Sequence, residues 1–416
     1  MEDNMQLPER HRVKRNNEMF KACDAICFAS KNIYNRSLYL IKQDWEQKQS
    51  YEVLNNLNEV MKKEECFQAI PCNVAQQTIR MVQKVYKSFF KLIKAKEEGK
   101  LPKEQEVNEP SYLNKTKGRY VAQYTPRVIS KKHFQKRGVV KLSQIDIEVK
   151  TKIKRYEDIA LVRVVPKNDE YYIETVYNVE DTPQLKSNRT YAAIDLGVNN
   201  LATITFSKKG KQPLIVNGKP LKSINQYYNK KLAKLKSTLE VRNKQKSSHA
   251  TRKLATKRNN KVNDFMHKAS RRIVNLLVKD DIRTLIIGKN DGWKQEVDMN
   301  KQNNQSFVSI PHSRFIGMLS YKCEQKGIRV MLVEESYTSK ASFLDLDPLP
   351  KHGEGEAPTF SGFRESRGLY KRKGVKERVN ADVNGSYNIM RKAIPTFFNK
   401  GIEGVVVRPL VLNVSW

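Results

Sequence analysis

Apolar positions near the start of the chain fall on helical spacing. Met19, Cys23, Ile26, Ile33 and Leu40 form one stripe, which predicts a helix from Met19 to about Ile41. Ile79, Val82, Tyr86, Phe89 and Ile93 form a second stripe. It predicts a helix from about Asn73 to Lys96, with Pro71 near its start and Gly99 past its end. The segment LNNLNEVMKKEE between them is compatible with helix as well, so this region reads as a bundle of about three helices.

The pattern changes after Pro102. EVNEPSYLNKTKGRYVAQYTPRVISKK mixes Tyr, Lys and Arg with turn residues. Ile145, Ile147 and Val149 then alternate with polar neighbours at the period of a half-buried strand. IALVRVV from Ile159 and YYIETVYNV from Tyr171 are two more strand-like runs, which together predict a small β-barrel or sheet. Aromatic and basic residues interleaved there suit base stacking and phosphate contact, and equally the core and rim of an ordinary sheet.

From about Thr190 the pattern is α/β. TYAAIDLGVNNLATITF reads as a hairpin with a tight Gly-containing turn. Leu232, Leu235 and Leu239, then Val262, Phe265, Ala269 and Leu276, predict two amphipathic helices around the polar break NKQKSSHATRK. TLIIG from Thr284 and IRVMLVEE from Ile328 read as buried strands. Between them Ile310–Lys326 reads as a helix opened by Pro311 and ended by Gly327. A Gly- and Pro-rich loop spans Pro348 to Gly374, and Asn380–Ala393 reads as a last helix.

Charge narrows the function. The 416 residues carry 78 Lys and Arg against 44 Asp and Glu, a formal charge of +34, while a hydrophobic fraction of 39% excludes a disordered chain. Such an excess repels itself unless an extended anion accepts it, which points to nucleic acid rather than to a solvated basic surface. Leu221 to Arg272 alone holds sixteen Lys or Arg against Glu240 and Asp264. The candidate phosphate contacts are Lys230, Lys231, Lys234, Arg242, Arg252, Lys253, Lys257, Arg258, Arg271 and Arg272.

No run approaches the ~20 apolar residues of a membrane span. The opening MEDNMQLPERHRVKRNN has no apolar core, which predicts no secretion signal and a cytoplasmic, nucleoid-associated protein. The five cysteines are odd in number and form no C-x-x-C pair, which predicts a reducing compartment and no zinc site. Cys23 and Cys27, four apart in a helix, read as core.

Acidic residues stand where a charge needs a reason. Asp195 ends the apolar run AAID, Glu334 and Glu335 end RVMLVEE, and Asp382 lies in the first turn of a helix within NADVNGSYN. Carboxylates buried near strand ends repel one another unless cations bridge them, and hard oxygen ligands select Mg²⁺ or Mn²⁺ over zinc. Two such ions can activate water and stabilise the leaving oxygen in phosphodiester hydrolysis. Each acid also has an ordinary reading: Asp382 as a helix N-cap, Asp195 as a turn former before Gly197.

IDLGVNNLAT at Asp195 resembles the first RuvC motif of the TnpB family, the transposon-encoded RNA-guided nucleases related to type V CRISPR effectors. NADVNGSYNIMRKA at Asp382 is similar to their third RuvC motif, and YTSKASF from Tyr337 to their Tyr-Thr-Ser segment. The resemblance covers the C-terminal half in order and spacing, and the N-terminal half more loosely. It implies an α/β RNase H-like (RuvC) nuclease domain at 188–416, with basic helices within 221–280. That domain would follow a wedge-like β-barrel at 1–15 and 103–187, with an inserted helical recognition bundle at 16–102. It also implies a guide RNA, a double-stranded DNA target beside a short flanking motif, and two Mg²⁺ or Mn²⁺ ions held by Asp195, Glu335 and Asp382.

Two departures stand out. The strand that usually ends in the second motif's Glu has Gly288 at that place. The family contains a variant whose acid comes from the strand before Tyr-Thr-Ser, which here ends in Glu334 and Glu335; Glu335 is favoured, with Glu334 as the alternative. The family's four-cysteine zinc knuckle is also missing, since no cysteine follows Cys323. Two alternatives stay open: a nuclease-inactive RNA-guided DNA-binding repressor, and a DDE-type transposase.

Overall fold

Burial of the two helical stripes organises the first part of the chain. The structure, a computed structural model, describes residues 5–102, 104–180, 182–243, 247–289, 310–351, 358–366, 368–398 and 404–414. The chain divides into two compact units, Met1–Glu180 and Asp181–Trp416.

In the first unit, β1 (Gln6–Val13) leads into α1 (Phe20–Lys48), α2 (Val53–Met61), α3 (Glu65–Gln68) and α4 (Cys72–Glu97). β2 (Ala122–Tyr124), α5 (Lys131–Arg137), β3 (Val139–Lys141), β4 (Glu148–Lys150), β5 (Ile159–Lys167) and β6 (Glu170–Asn178) follow. The first turns of α1 bury Cys23, Ile26 and Cys27 against Tyr124, Val162, Val164 and Ile173 of the sheet. Farther along, Ile33, Leu38 and Ile41 pack on Leu57, Met61, Ile79, Val82 and Tyr86 of α2 and α4. One stripe therefore serves two cores, which is how a helical bundle is anchored on a sheet. The antiparallel sheet runs β1–β6–β5–β2, so α1–α4 are inserted between two strands of one sheet.

Two expectations change here. The bundle has four helices, because the middle segment breaks into α2 and α3. Ile145 and Ile147 are not strand: Gln144 adopts φ 60° and the Ile147 N–H closes on the Ile145 carbonyl at 2.9 Å. Ile147 is still fully buried, so the alternation recorded burial rather than extended backbone.

The second unit contains β7 (Tyr191–Leu196), β8 (Asn200–Phe206), β9 (Leu214–Asn217), α6 (Lys219–Asn243), α7 (His249–Lys279) and β10 (Thr284–Gly288). After these come α8 (His312–Glu324), β11 (Arg329–Val333), β12 (Gly362–Ser366), β13 (Leu369–Arg372), β14 (Arg378–Asn380), α9 (Ala381–Ala393) and β15 (Leu410–Leu412). The main sheet is mixed, in the order β11–β10–β7–β8–β9–β15. β7, β8 and β9 form an antiparallel meander, and β10 and β11 run parallel to β7.

Side chains alternate across β7 and set the two faces. Ala192, Ile194 and Leu196 join Phe265, Ala269 and Ile273 of α7 and Phe315 and Leu319 of α8. Ala193 points to the other face, against Val383, Tyr387 and Met390 of α9. The region read as a loop from Pro348 to Gly374 contains β12 and β13, which with β14 make a small antiparallel sheet over Tyr370, Val379 and Ala381. The two residues that follow β11, Glu334 and Glu335, lie beyond the strand rather than at its end.

Phe315 is fully buried in the main core. Phe315→Ala is expected to cost about 3–5 kcal/mol in denaturant unfolding. Ser248→Ala, which removes the capping box at the start of α7, is expected to cost only about 1 kcal/mol. Equal effects would contradict this core.

Candidate active site

Asp195, Glu335 and Asp382 come to the α9 face of the main sheet by three separate devices. Asp195 lies two residues after Ala193 on β7 and so shares its face, and the Ser386 hydroxyl of α9 donates to the Ala193 carbonyl at 3.0 Å. Opposite the carboxylate lies Gly385, where a Cβ would stand 2.7 Å from Asp195 Oδ2. A mid-helix glycine costs roughly 1 kcal/mol against alanine; here it gives Asp195 room.

Asp382 sits in the first turn of α9, where the helix dipole favours a negative charge. The N-cap is Asn380, whose side chain accepts from the Asp382 and Val383 amides, so the carboxylate of Asp382 is not spent on capping. Its Oδ2 accepts from Asn200 Nδ2 at 2.7 Å, and its Oδ1 from Arg364 of β12 at 2.6 Å.

Glu335 reaches the site from the turn after β11. Gly288 ends β10 beside Val333, one residue past the Ile287–Ile194 pairing. A Cβ built on Gly288 would collide with Glu335 Oε1 and lie 2.7 Å from Glu335 Cγ and 2.6 Å from Ile389 Cδ1. The side chain of Glu335 therefore fills the space that a residue at 288 would have used. Its backbone is held by Thr338, whose amide and hydroxyl donate to the Glu335 carbonyl at 3.1 and 2.9 Å.

The neighbouring glutamate is engaged elsewhere. Glu334 accepts from Lys392 Nζ at 2.5 Å and from the Ser336 amide at 2.6 Å. It is held below the usual carboxylate range, the cost of partial burial being outweighed by these bonds.

Sequence reasoning missed the polar residues that fasten this arrangement. Asn384 and Asn388, fully buried on α9, donate to the carbonyls of Ala341 at 2.8 Å and of Thr338 and Ala341 at 2.9 and 2.7 Å. Asn384 Oδ1 accepts from the Phe343 amide at 3.1 Å. The NADVNGSYN motif thus clamps the YTSKASF run to α9, fixing the turn that carries Glu335. Arg364 was hidden in the segment read as loop.

The electrostatics follow from crowding. Asp195 is raised well above the carboxylate range, first by burial and then by the charges of Glu335 and Asp382, with Arg364 opposing. Glu335 is pushed up to about 7 by burial and by the charge of Glu334, with Lys392 opposing. Among the described residues no three His, Cys, Asp or Glu side chains are gathered closely enough to close on one ion; Arg364 is the cation at Asp382. The donor set still fits a hard divalent cation: all oxygen, and so mutually repulsive that a cation relieves it.

Of the candidate phosphate contacts, Lys230, Lys231 and Lys234 are exposed on α6, and Lys253, Lys257, Arg271 and Arg272 on α7. Arg252 is half-buried. Arg258 turns inward and donates to Asn225 Oδ1 at 2.7 Å. The side chain of Arg242 lies outside the described residues.

The raised Glu335 implies a pH dependence of stability. The folded state holds this proton more tightly than the unfolded chain, so the contribution is present at low pH and is lost as pH rises from 4.5 through about 7. Urea midpoints are expected to fall between those limits, and Glu335→Gln to flatten the fall. An unchanged slope in that variant would contradict the burial of Glu335.

Two family models match the chain: a probable transposase (OrfB_IS605) over residues 174–294, and a Cas12f1-like TNB domain over residues 312–389. No curated protein matches. Two solved structures are similar. One is a cryo-EM structure of a Cas12f1–sgRNA–target DNA complex, at 13% identity over 94% of this chain and 100% of that chain, with a TM-score of 0.36. The other is a CRISPR-Cas12f ternary complex, at 12% identity over 89% and 81%, with a TM-score of 0.35. The two family models follow one another along the half of the chain that contains Asp195, Gly288 and Asp382, and together they support a TnpB-like family.

Proposed function

We propose that this chain is an RNA-guided DNA endonuclease of transposon origin. Its RNase H-like (RuvC) domain would hydrolyse DNA phosphodiesters with Asp195, Glu335 and Asp382 as the acids. The observation that carries this reading is Glu335 filling the space above Gly288, with its charge acting on Asp195. A relocated acid that had lost its use would have no reason to be buried at this cost. In the first unit, the helices inserted into the sheet would be the recognition bundle and the sheet the wedge-like domain. With the basic helices of the second unit, they would hold a guide RNA and its heteroduplex with target DNA next to a flanking motif. Among the described residues no helix is long and apolar enough to cross a membrane, and the proposed setting is the nucleoid.

Mg²⁺ or Mn²⁺ held by Asp195, Glu335 and Asp382 would supply water activation and stabilisation of the leaving oxygen. The chain's own residues prepare that site. Asn200 fixes the orientation of the Asp382 carboxylate, Gly385 gives Asp195 room, and Lys392 draws Glu334 away from Glu335. Arg364 donates to the Asp382 carboxylate from β12. Lys and Arg on the walls of the nucleic-acid groove would neutralise strand charge without reading bases.

The test is plasmid cleavage by protein purified with its co-expressed genomic flank. Asp195→Ala and Asp382→Ala are expected to abolish cleavage and to leave RNA affinity within a few-fold. Loss of RNA binding would make those acids structural. Glu335→Ala is expected to inactivate and Glu334→Ala to retain activity, while Gly288→Glu with Glu335→Ala recovers part of it, because the two positions share one space. Binding of a defined RNA without Mg²⁺-dependent cleavage would favour the repressor, and strand joining without RNA the transposase.

A further inference from the structure

A second constellation of charge lies on the other face of the main sheet. Between α7 and α8 is an open cavity of about 610 Å³, lined by Lys268, Arg271, Arg272, Asn275, Tyr321 and Lys322 among others. α7 and α8 pack against Ala192, Ile194 and Leu196, whereas Asp195 shares the face of Ala193, toward α9. A polyanion seated in this cavity is therefore not the phosphate that reaches the acids.

Lys322 is the unusual member. It is 2% exposed, and its ammonium donates to the His267 carbonyl at 2.8 Å and to Ser270 Oγ at 2.6 Å, both uncharged. Among the described residues no carboxylate pairs with it. Burial and the nearby Arg271 push it down to about 8. On α7, Asp264 is paired with Lys268 at 2.8 Å. Tying α8 to α7 explains the two hydrogen bonds of Lys322. It does not explain why Arg271 and Arg272 are exposed on the same rim, beside a half-buried tyrosine. A buried cation without a counter-charge is costly, and an anion in the cavity would offset it.

We propose that this cavity seats one unpaired nucleotide of the guide RNA, its flanking phosphates on Arg271 and Arg272 beside the buried ammonium of Lys322 and its base on the ring of Tyr321. Aromatic and guanidinium planes are the usual platforms for splayed-out RNA bases, and the Asn275 amide both donates and accepts, as a 2′-hydroxyl or base edge requires. Assignment to RNA rests on the guided-nuclease reading, in which the DNA strand to be cut passes the acids on the opposite face. The cavity's affinity for a nucleotide does not.

The test is fluorescence anisotropy of the full chain with a short labelled oligouridine strand, and with its deoxyuridine counterpart, across a salt series. Tyr321→Leu is expected to weaken RNA binding by about ten-fold, within the range for lost base stacking, while Tyr321→Phe retains it. Arg271→Ala with Arg272→Ala is expected to lower the salt slope by about 1.4, two phosphate contacts on a single strand. All variants should keep the wild-type unfolding midpoint, and their losses on the DNA strand should be smaller. An unchanged salt slope, or Tyr321→Leu binding like wild type, overturns the nucleotide seat. Equal losses on both strands overturn the assignment to RNA. Failure of the cleavage reading shows separately, as intact plasmid with wild-type protein, and leaves these affinities unaffected.

Discussion

Repulsion among crowded, half-buried carboxylates is the constraint around which the second unit is built. Burial first, and then the charges of Glu335 and Asp382, raise the energy of ionised Asp195; burial and the charge of Glu334 do the same for Glu335. Such a cluster persists only if the surrounding structure holds it by other means. The main sheet does this for Asp195, α9 for Asp382, and the clamp of Asn384 and Asn388 on the Thr338–Phe343 segment for Glu335. Full burial of those two asparagines is tolerated because their amides are satisfied by backbone carbonyls. Arg364 and Lys392 complete the balance at the edges.

The relocation of an acid is a steric exchange. Gly288 removes a side chain from β10, and Glu335 enters from the turn after β11 to occupy that volume, with Ile389 closing the other side. Glu334, one residue earlier, is drawn off by Lys392 and Ser336. Two adjacent identical residues thus acquire opposite environments: one exposed and held charged, the other with its carboxylate turned inward and reluctant to ionise.

Much of this was legible in the sequence, and the gaps have physical causes. The long helices were readable because their stripes are buried along their length, as Cys23–Ile41 and Ile79–Tyr86 are. β12 and β13 were not, because Phe363, Leu369, Arg364 and Glu365 are exposed and the hairpin's alternation carries no burial signal; Arg364 went unread with it. The choice of Glu335 over Glu334 came out of position in the motif, not from strand alternation, which does not apply beyond Val333. The missing Cβ at Gly288 leaves the space that Glu335 fills, which supports that choice. NADVNGSYN was legible as a motif, but its asparagines hold a segment some forty residues away, which no local pattern encodes.

The proposal to be tested is that Asp195, Glu335 and Asp382 together hold a divalent cation, with Asp195 and Glu335 reluctant to ionise without it. Calorimetric titration of the metal-free protein with Mn²⁺ at pH 6.5, in buffers of different ionisation enthalpy, counts the protons that binding releases. The account predicts that binding expels protons, and that Glu335→Gln reduces both the affinity and the release while Glu334→Gln changes neither. Mn²⁺ binding with no proton release, or binding lost in Glu334→Gln and kept in Glu335→Gln, would contradict it.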